Sequence, residues 1–144
     1  MPENKVHLRI ITPQEIKVDE DADMVIMRSI TGDMGILFGH EACSTVLDYG
    51  VLRILDGDRE QRLAVLGGLA DVQDNVVTVL TSMAERPEDI DRAVAEEDRE
   101  RAQLRLLESI DEAEMQSDQV TLRRALVRIE VSSYPLITNA EEEN

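Results

Sequence analysis

The residues of this chain that could do chemistry are few and far apart. His7 and His40 are its only histidines and Cys43 its only cysteine, and their spacing makes no metal-ligand set. The run Asp56-Gly57-Asp58-Arg59-Glu60 has the acids of a calcium loop. It lacks the central glycine and the closing glutamate at the required places, so it reads as a hairpin turn. There is no Gly-x-Ser-x-Gly, no Walker loop and no nucleophile with a base at a meaningful spacing, which leaves little for an independent enzyme. Gly67-Gly68 marks a bulge or corner and not a phosphate loop, because no helix pattern follows it. Cys43 cannot form an internal disulfide, fits a reducing compartment and reads as a small apolar filler. What remains is a cluster of cations, Arg123, Arg124 and Arg128, with the last two one helical turn apart. The plain reading is a solvated face that pairs in part with an acidic helix, each exposed pair contributing about 0 to 1 kcal/mol.

The elements that must hold these groups follow from composition and periodicity. Of 144 residues 42% are hydrophobic and 2% aromatic, so a core is available and it is aliphatic. The formal net charge of −16 argues against a nucleic-acid backbone as the main partner. No apolar run approaches the length of a bilayer span. The N-terminal Met-Pro-Glu-Asn-Lys lacks the basic-then-apolar order of a signal peptide, so a soluble protein that stays where it is made is expected.

Residues 5–12 alternate as a strand with Val6, Leu8 and Ile10 on one face. Residues 17–20 form a short second strand and residues 24–30 a stronger third. Gly32, Gly35 and Gly39 then punctuate short apolar runs, where the backbone must turn. Further strands are expected at 51–55, 61–66, 69–72 and 76–80, with turns at Asp56-Gly57-Asp58 and Asp74-Asn75. About ten short strands predict a β-sandwich or flattened barrel over residues 1–84.

After Met83 the period changes. Pro87 and the acids Glu88, Asp89 and Asp91 start a helix that should run to about Leu107, with Ile90, Ala93, Val94, Ala102, Leu104 and Leu107 on its apolar face. A second helix is expected from about Gln119 to Val131, after an acidic connector of about ten residues, completing an α-helical hairpin over 85–133. Its apolar face is poor, so an appendage held by weak contacts is predicted. Residues 134–144, ending Glu-Glu-Glu-Asn, read as a disordered acidic tail.

This order of elements, with four local motifs, resembles the epsilon subunit of the rotary F-type ATP synthase over residues 5–131. The motifs are Gly35-Ile36-Leu37-Phe38-Gly39-His40, similar to the family's G-x-x-P-G-H; Gly50-Val51-Leu52-Arg53-Ile54, similar to P-G-x-x-R-I; Gly67-Gly68, similar to S-G-G; and residues 76–80 followed by Ala84-Glu85. Phe38 stands where the family has proline, and Asp48-Tyr49 replaces the residue and proline before Gly50.

The resemblance implies a non-catalytic central-stalk subunit of the proton- or sodium-translocating enzyme, coupling the ring of c subunits to gamma. It implies a sandwich that packs on gamma and touches the c ring, and a hairpin that folds down on the sandwich or extends toward the alpha and beta subunits and blocks ATP hydrolysis. Asp33 and His40, in loops beside Gly32 and Gly39, would then meet the c ring. Arg123, Arg124 and Arg128 would make the inhibitory contact with the catalytic head. Some bacterial members bind ATP through I/L-D-x-x-R-A. Here Ile90, Asp91 and Ala95 match, and Glu85, Arg101, Arg124 and Arg128 match the other polar positions, but Val94 stands in place of the arginine. Arg92 points roughly 200° around the helix from a substitute's position. No cofactor and weak or no ATP binding are therefore expected. The implied location is peripheral, on the cytoplasmic face of a bacterial membrane or the stromal face of a plastid thylakoid. The alternative is a free-standing acidic protein-binding module, which would not bring down gamma on purification.

Overall fold

The computed structural model describes residues 4–133 and 137–138. Strand β1 (Val6–Ile11) buries Val6, Leu8 and Ile10 completely and turns its other side chains outward, the period of two its sequence predicts. It pairs antiparallel with β2 (Ile16–Ala22) and parallel with β7 (Val76–Leu80). From β7 the sheet continues through β6 (Arg59–Gln73), β5 (Cys43–Asp56) and β3 (Met24–Ser29) to β4 (Gly32–Leu37). The ends of this path do not pair. The sheet folds over instead, and Val18 near one end shares a buried cluster with Ile36 near the other, around Leu8, Met27, Leu63 and Val77. This is a β-sandwich whose sheet is not closed.

Among the described residues there are nine strands, two of them long. Runs that read separately in the sequence merge into β5 and β6, of 14 and 15 residues. Their ladder keeps one register on either side of Gly67-Gly68, so the glycines make a corner with no extra residue. The chain leaving β7 lies hard against this corner. Gly68 has φ +123°, and a Cβ there would lie 2.2 Å from the Leu80 carbonyl oxygen. Both expected turns are present, with Asp74 and Asn75 at φ 50° and 64°, the left-handed pair that a tight hairpin uses. One edge of β6 is covered in sequence by β9 (Ile137–Thr138), β8 (Ala84–Glu85) and β7. The acidic tail expected from residue 134 otherwise lies outside the described residues.

The hairpin is longer and tighter than its sequence suggests. Pro87–Asp89 form a single 3₁₀ turn, and α1 (Arg92–Glu108) begins only after Asp91, whose carboxylate accepts from the Val94 N–H. Helix α2 (Glu112–Ser132) starts seven residues before the expected Gln119. The acids read as a connector are its first turns: Asp111 caps it by accepting from the Ala113 N–H, and Glu112 and Glu114 lie at the positive end of the helix dipole. The true connector is residues 109–111. Of the apolar face expected on the first helix, Ile90 and Ala102 are buried, whereas Val94, Leu104 and Leu107 are exposed. On α1 the buried residues are Ala95 and Ala102, seven residues apart, and on α2 they are Asp118, Ala125 and Val131.

Candidate functional site

The groups of interest gather where α2 crosses the sandwich. Ala64 of β6, Ile90 and Val131 form a small buried cluster, flanked by Val51 and Val127. Three arginines border it with different fates. Arg128 reaches Glu85 of β8, Nε to Oε1 at 2.8 Å and Nη2 to Oε2 at 3.3 Å, with side chains only 19% and 15% exposed. Its Nη1 is 4.0 Å from Asp98 of α1. Arg123 pairs with the Asp48 carboxylate, and its guanidinium carbon stands 5.0 Å from the centre of the Tyr49 ring. Arg124 is exposed, with no ion-pair partner among the described residues. The sequence groups Arg124 with Arg128; the fold groups Arg123 with Arg128 at the seam and leaves Arg124 facing out.

The positions that match the nucleotide motif mostly have structural work. Asp91 caps α1, Ile90 is 9% exposed beneath Val131, and Ala95 is fully buried. Arg101 pairs with Asp98 at 3.4 Å, one turn back along α1. Val94 is exposed and supplies no charge in the place of the motif arginine. Arg92 instead bonds Glu96 at 3.3 Å and the Ser133 hydroxyl at 2.8 Å, tying α1 to the end of α2.

Asp33 and His40 lie at opposite ends of β4. Asp33 is a strand residue and not a loop residue as expected, because Gly32 already pairs with Ser29. Its Oδ1 accepts from Arg28 Nε at 3.1 Å, which raises the already high pKa of that guanidinium. Asp33 also lines a cleft of about 280 Å³ with Arg53, Tyr49 and, from α2, Val127 and Glu130. His40 follows a loop that Asn75 anchors by accepting from the Gly39 N–H at 2.7 Å, and its Nδ1 lies 2.7 Å from the Glu41 carbonyl. The fold does not bring the two together.

Two features escape the sequence motifs. On the sandwich face away from α2, Ile30, Val46, Leu69 and Leu80 are 64%, 46%, 55% and 49% exposed and border a groove of about 470 Å³. The one charged residue lining it, Asp71, accepts a bond from Ser44 at 2.8 Å. The signal was available: Leu69 and Leu80 fall on the solvent parity of strands whose buried positions are Ala70 and Val79. The second is the fastening of the hairpin root. Lys17 of β2 bonds Asp89 at 2.6 Å, and Arg86 reaches the Lys17 carbonyl at 3.3 Å and Gln61 at 3.0 Å. The Lys17 ammonium holds Asp89 below the usual carboxylate range.

Two family models match the chain, one described as the beta-sandwich domain of the ATP synthase delta/epsilon chain over residues 5–87 and one as its long alpha-helix domain over 88–133. An ATP synthase epsilon chain of Gloeothece citriformis is 38% identical over 128 residues, covering 87% of this chain and 93% of that relative. The epsilon chain of Caldicellulosiruptor saccharolyticus is 34% identical over 122 residues, covering 85% and 89%. Among solved structures, a chain of the Euglena gracilis mitochondrial ATP synthase, described as OSCP/F1/c-ring in rotational state 1, superposes with a TM-score of 0.79 at 25% identity. It covers 93% of this chain and 90% of that one. A Tetrahymena thermophila central-stalk and c-ring chain shares the fold, with a TM-score of 0.59 at 14% identity.

Proposed function

Because this chain belongs to the ATP synthase delta/epsilon family, as an epsilon chain of the F-type enzyme, we propose that it is a non-catalytic central-stalk subunit, with the sandwich as anchor and the hairpin as a brake on ATP hydrolysis. The observation that carries the anchor is the apolar groove at Ile30, Val46, Leu69 and Leu80. In a chain that is 32% charged, four large apolar side chains border a groove whose one charge is already bonded. That is the character of a surface covered in assembly, and gamma is the partner proposed for it. Asp33 and His40, at the two ends of β4, are proposed to face the c ring. The proposed setting is the periphery of a bacterial membrane on its cytoplasmic side; no described helix is long and apolar enough to cross one.

The brake rests on the seam. In the conformation described, Arg123 and Arg128 are engaged by Asp48, Tyr49 and Glu85, and Arg124 is free of ion pairs among the described residues. Extension of the hairpin would exchange these partners for acidic groups of the alpha and beta subunits, a shift between two sets of ion pairs of similar kind. ATP binding is proposed to be weak or absent. Val94 offers no cation, and a nucleotide at the matching positions would have to part Arg128 from Glu85.

Reconstitution of the catalytic complex tests both halves. Leu69→Glu with Leu80→Glu should abolish co-purification with gamma while the isolated chain keeps its fold; undiminished gamma binding defeats the anchor assignment. Replacing Arg123, Arg124 and Arg128 together with alanine should leave gamma binding intact and raise ATP hydrolysis. Unchanged hydrolysis defeats the brake.

A further inference from the structure

On the solvent face of the outer strands, His7 of β1 stands between two carboxylates of β2. Its Nδ1 lies 2.7 Å from Asp21 Oδ1 and its Nε2 lies 2.5 Å from Asp19 Oδ1. A neutral imidazole carries one N–H and one lone pair, so it can donate to only one of these acceptors and must turn its lone pair on the other. Both contacts are favourable together only when the ring holds two protons. The backbone reinforces the arrangement, since His7 is opposite Asp21 in the β1–β2 ladder and Arg9 is opposite Asp19.

We infer that His7 is a proton-operated fastener of the edge strand β2 and, through Lys17, of the root of the helical hairpin. Lys17 lies two residues before Asp19 on the same strand, unpaired at the register shift between Ile10↔Val18 and Ile11↔Ile16, so the strand that grips His7 also carries the residue that bonds Asp89. Arg86, just before the 3₁₀ turn, takes the Lys17 carbonyl. Among the described residues β2 pairs only with β1, and no other strand supports its outer edge. With His7 neutral, Asp19 and Asp21 are neighbouring like charges on a strand with one free edge, and the strand that carries the Lys17–Asp89 bond loosens.

The other charges around His7 are accounted for. On β1, Arg9 Nε lies 3.8 Å from Asp19 and lowers the repulsion there without replacing the ring, and Lys5 is committed to Asp23 and Asp56. The other neighbour of β1, β7, presents no titratable side chain. The turn before it supplies Asp74 and the Asn75 carbonyl that accepts the His7 backbone N–H at 2.8 Å. Consistent with this surrounding, Asp21 and then Asp19 raise the His7 pKa above its ordinary value. The sign follows: a group raised on folding contributes fully below its unfolded value of about 6.5, and the contribution is lost as pH rises through the folded value.

The test uses the full chain. Side-chain NMR of His7 should show a midpoint above the unfolded value of about 6.5, and Asp19→Asn with Asp21→Asn should bring it down. Amide protection of β2 and of residues 86–92, corrected for intrinsic exchange, should fall between pH 6 and 8 by roughly tenfold for each unit by which the midpoint is raised, and His7→Gln should flatten that profile. A midpoint at or below about 6.5, or an equal pH profile in His7→Gln, overturns the inference. Loss of the pH effect in β2 with its retention at residues 86–92 overturns the link through Lys17. His7 is well exposed, so its replacement by glutamine keeps the fold available for comparison.

Discussion

Arg128 of α2 and Glu85 of β8 face each other at 2.8 Å, both mostly withdrawn from solvent, at the point where the last strand of the sandwich gives way to the hairpin. The pair ties the far helix back to the start of the near one. Arg128→Ala strands a partly buried carboxylate and should weaken docking by about 1–3 kcal/mol. Hydrogen exchange should then quicken along α2 while β5 and β6 keep their protection. Unchanged exchange in α2 would show that the pair carries no docking energy.

Gly68 admits no side chain. A methyl group there would overlap the Leu80 carbonyl oxygen and would also occupy a φ that L-residues avoid. Gly57, at φ 62° with open space around it, faces only the second problem. Gly68→Ala should therefore lower the unfolding midpoint well beyond Gly57→Ala, whose cost is about 1 kcal/mol. Equal losses in thermal unfolding would contradict the close approach.

Acid should act on the sandwich with the opposite sign to His7. Arg53 and then Arg62 hold Glu60 below the usual carboxylate range, and Lys17 does the same for Asp89. Groups lowered on folding contribute fully above their unfolded value of about 4, and that contribution is lost as pH falls through the folded values. Stability should drop below about pH 4, and Glu60→Gln should shrink the drop. A denaturation series from pH 6 to 2.5 decides it.

Asp91 is the sole side-chain cap seen at the start of α1. Asp91→Ala should cost about 1 kcal/mol, read as fraying of the first turn in amide exchange. Asp91→Ser should restore most of it, which a role limited to charge would not allow.

The sequence declares most of the sandwich, because Val6, Leu8 and Ile10 alternate with a period that only a half-buried strand satisfies, and Asp74-Asn75 names its own turn. It conceals the start of α2. Residues 108–118 are too acidic to look like helix, yet at a helix N-terminus those charges are favourable, and Asp111 makes them the beginning of an element. The seam is half legible: Arg128 stands out by charge, whereas Asp48 and Tyr49 acquire meaning only when a helix 75 residues later lays Arg123 on them. The apolar groove is hidden for a related reason, since Val46, Leu69 and Leu80 come from three strands and Ile30 from the turn after β3, and they meet only in three dimensions.

The fully buried residues of the two helices are mostly small. Ala95 and Ala102 of α1 are fully covered, α2 buries Ala125 and the short Asp118, and the long side chain that crosses between the helices is Arg128, whose Nη1 lies 4.0 Å from Asp98. Rods that touch through methyl groups resist separation through close approach, and what opposes lengthwise gliding is the Arg128–Asp98 contact. Their alignment is keyed at the ends as well, by residues 109–111 at one and by the Arg92 bond to Ser133 at the other. With so few keys, the length of that three-residue bend becomes a dial that sets which small residues meet.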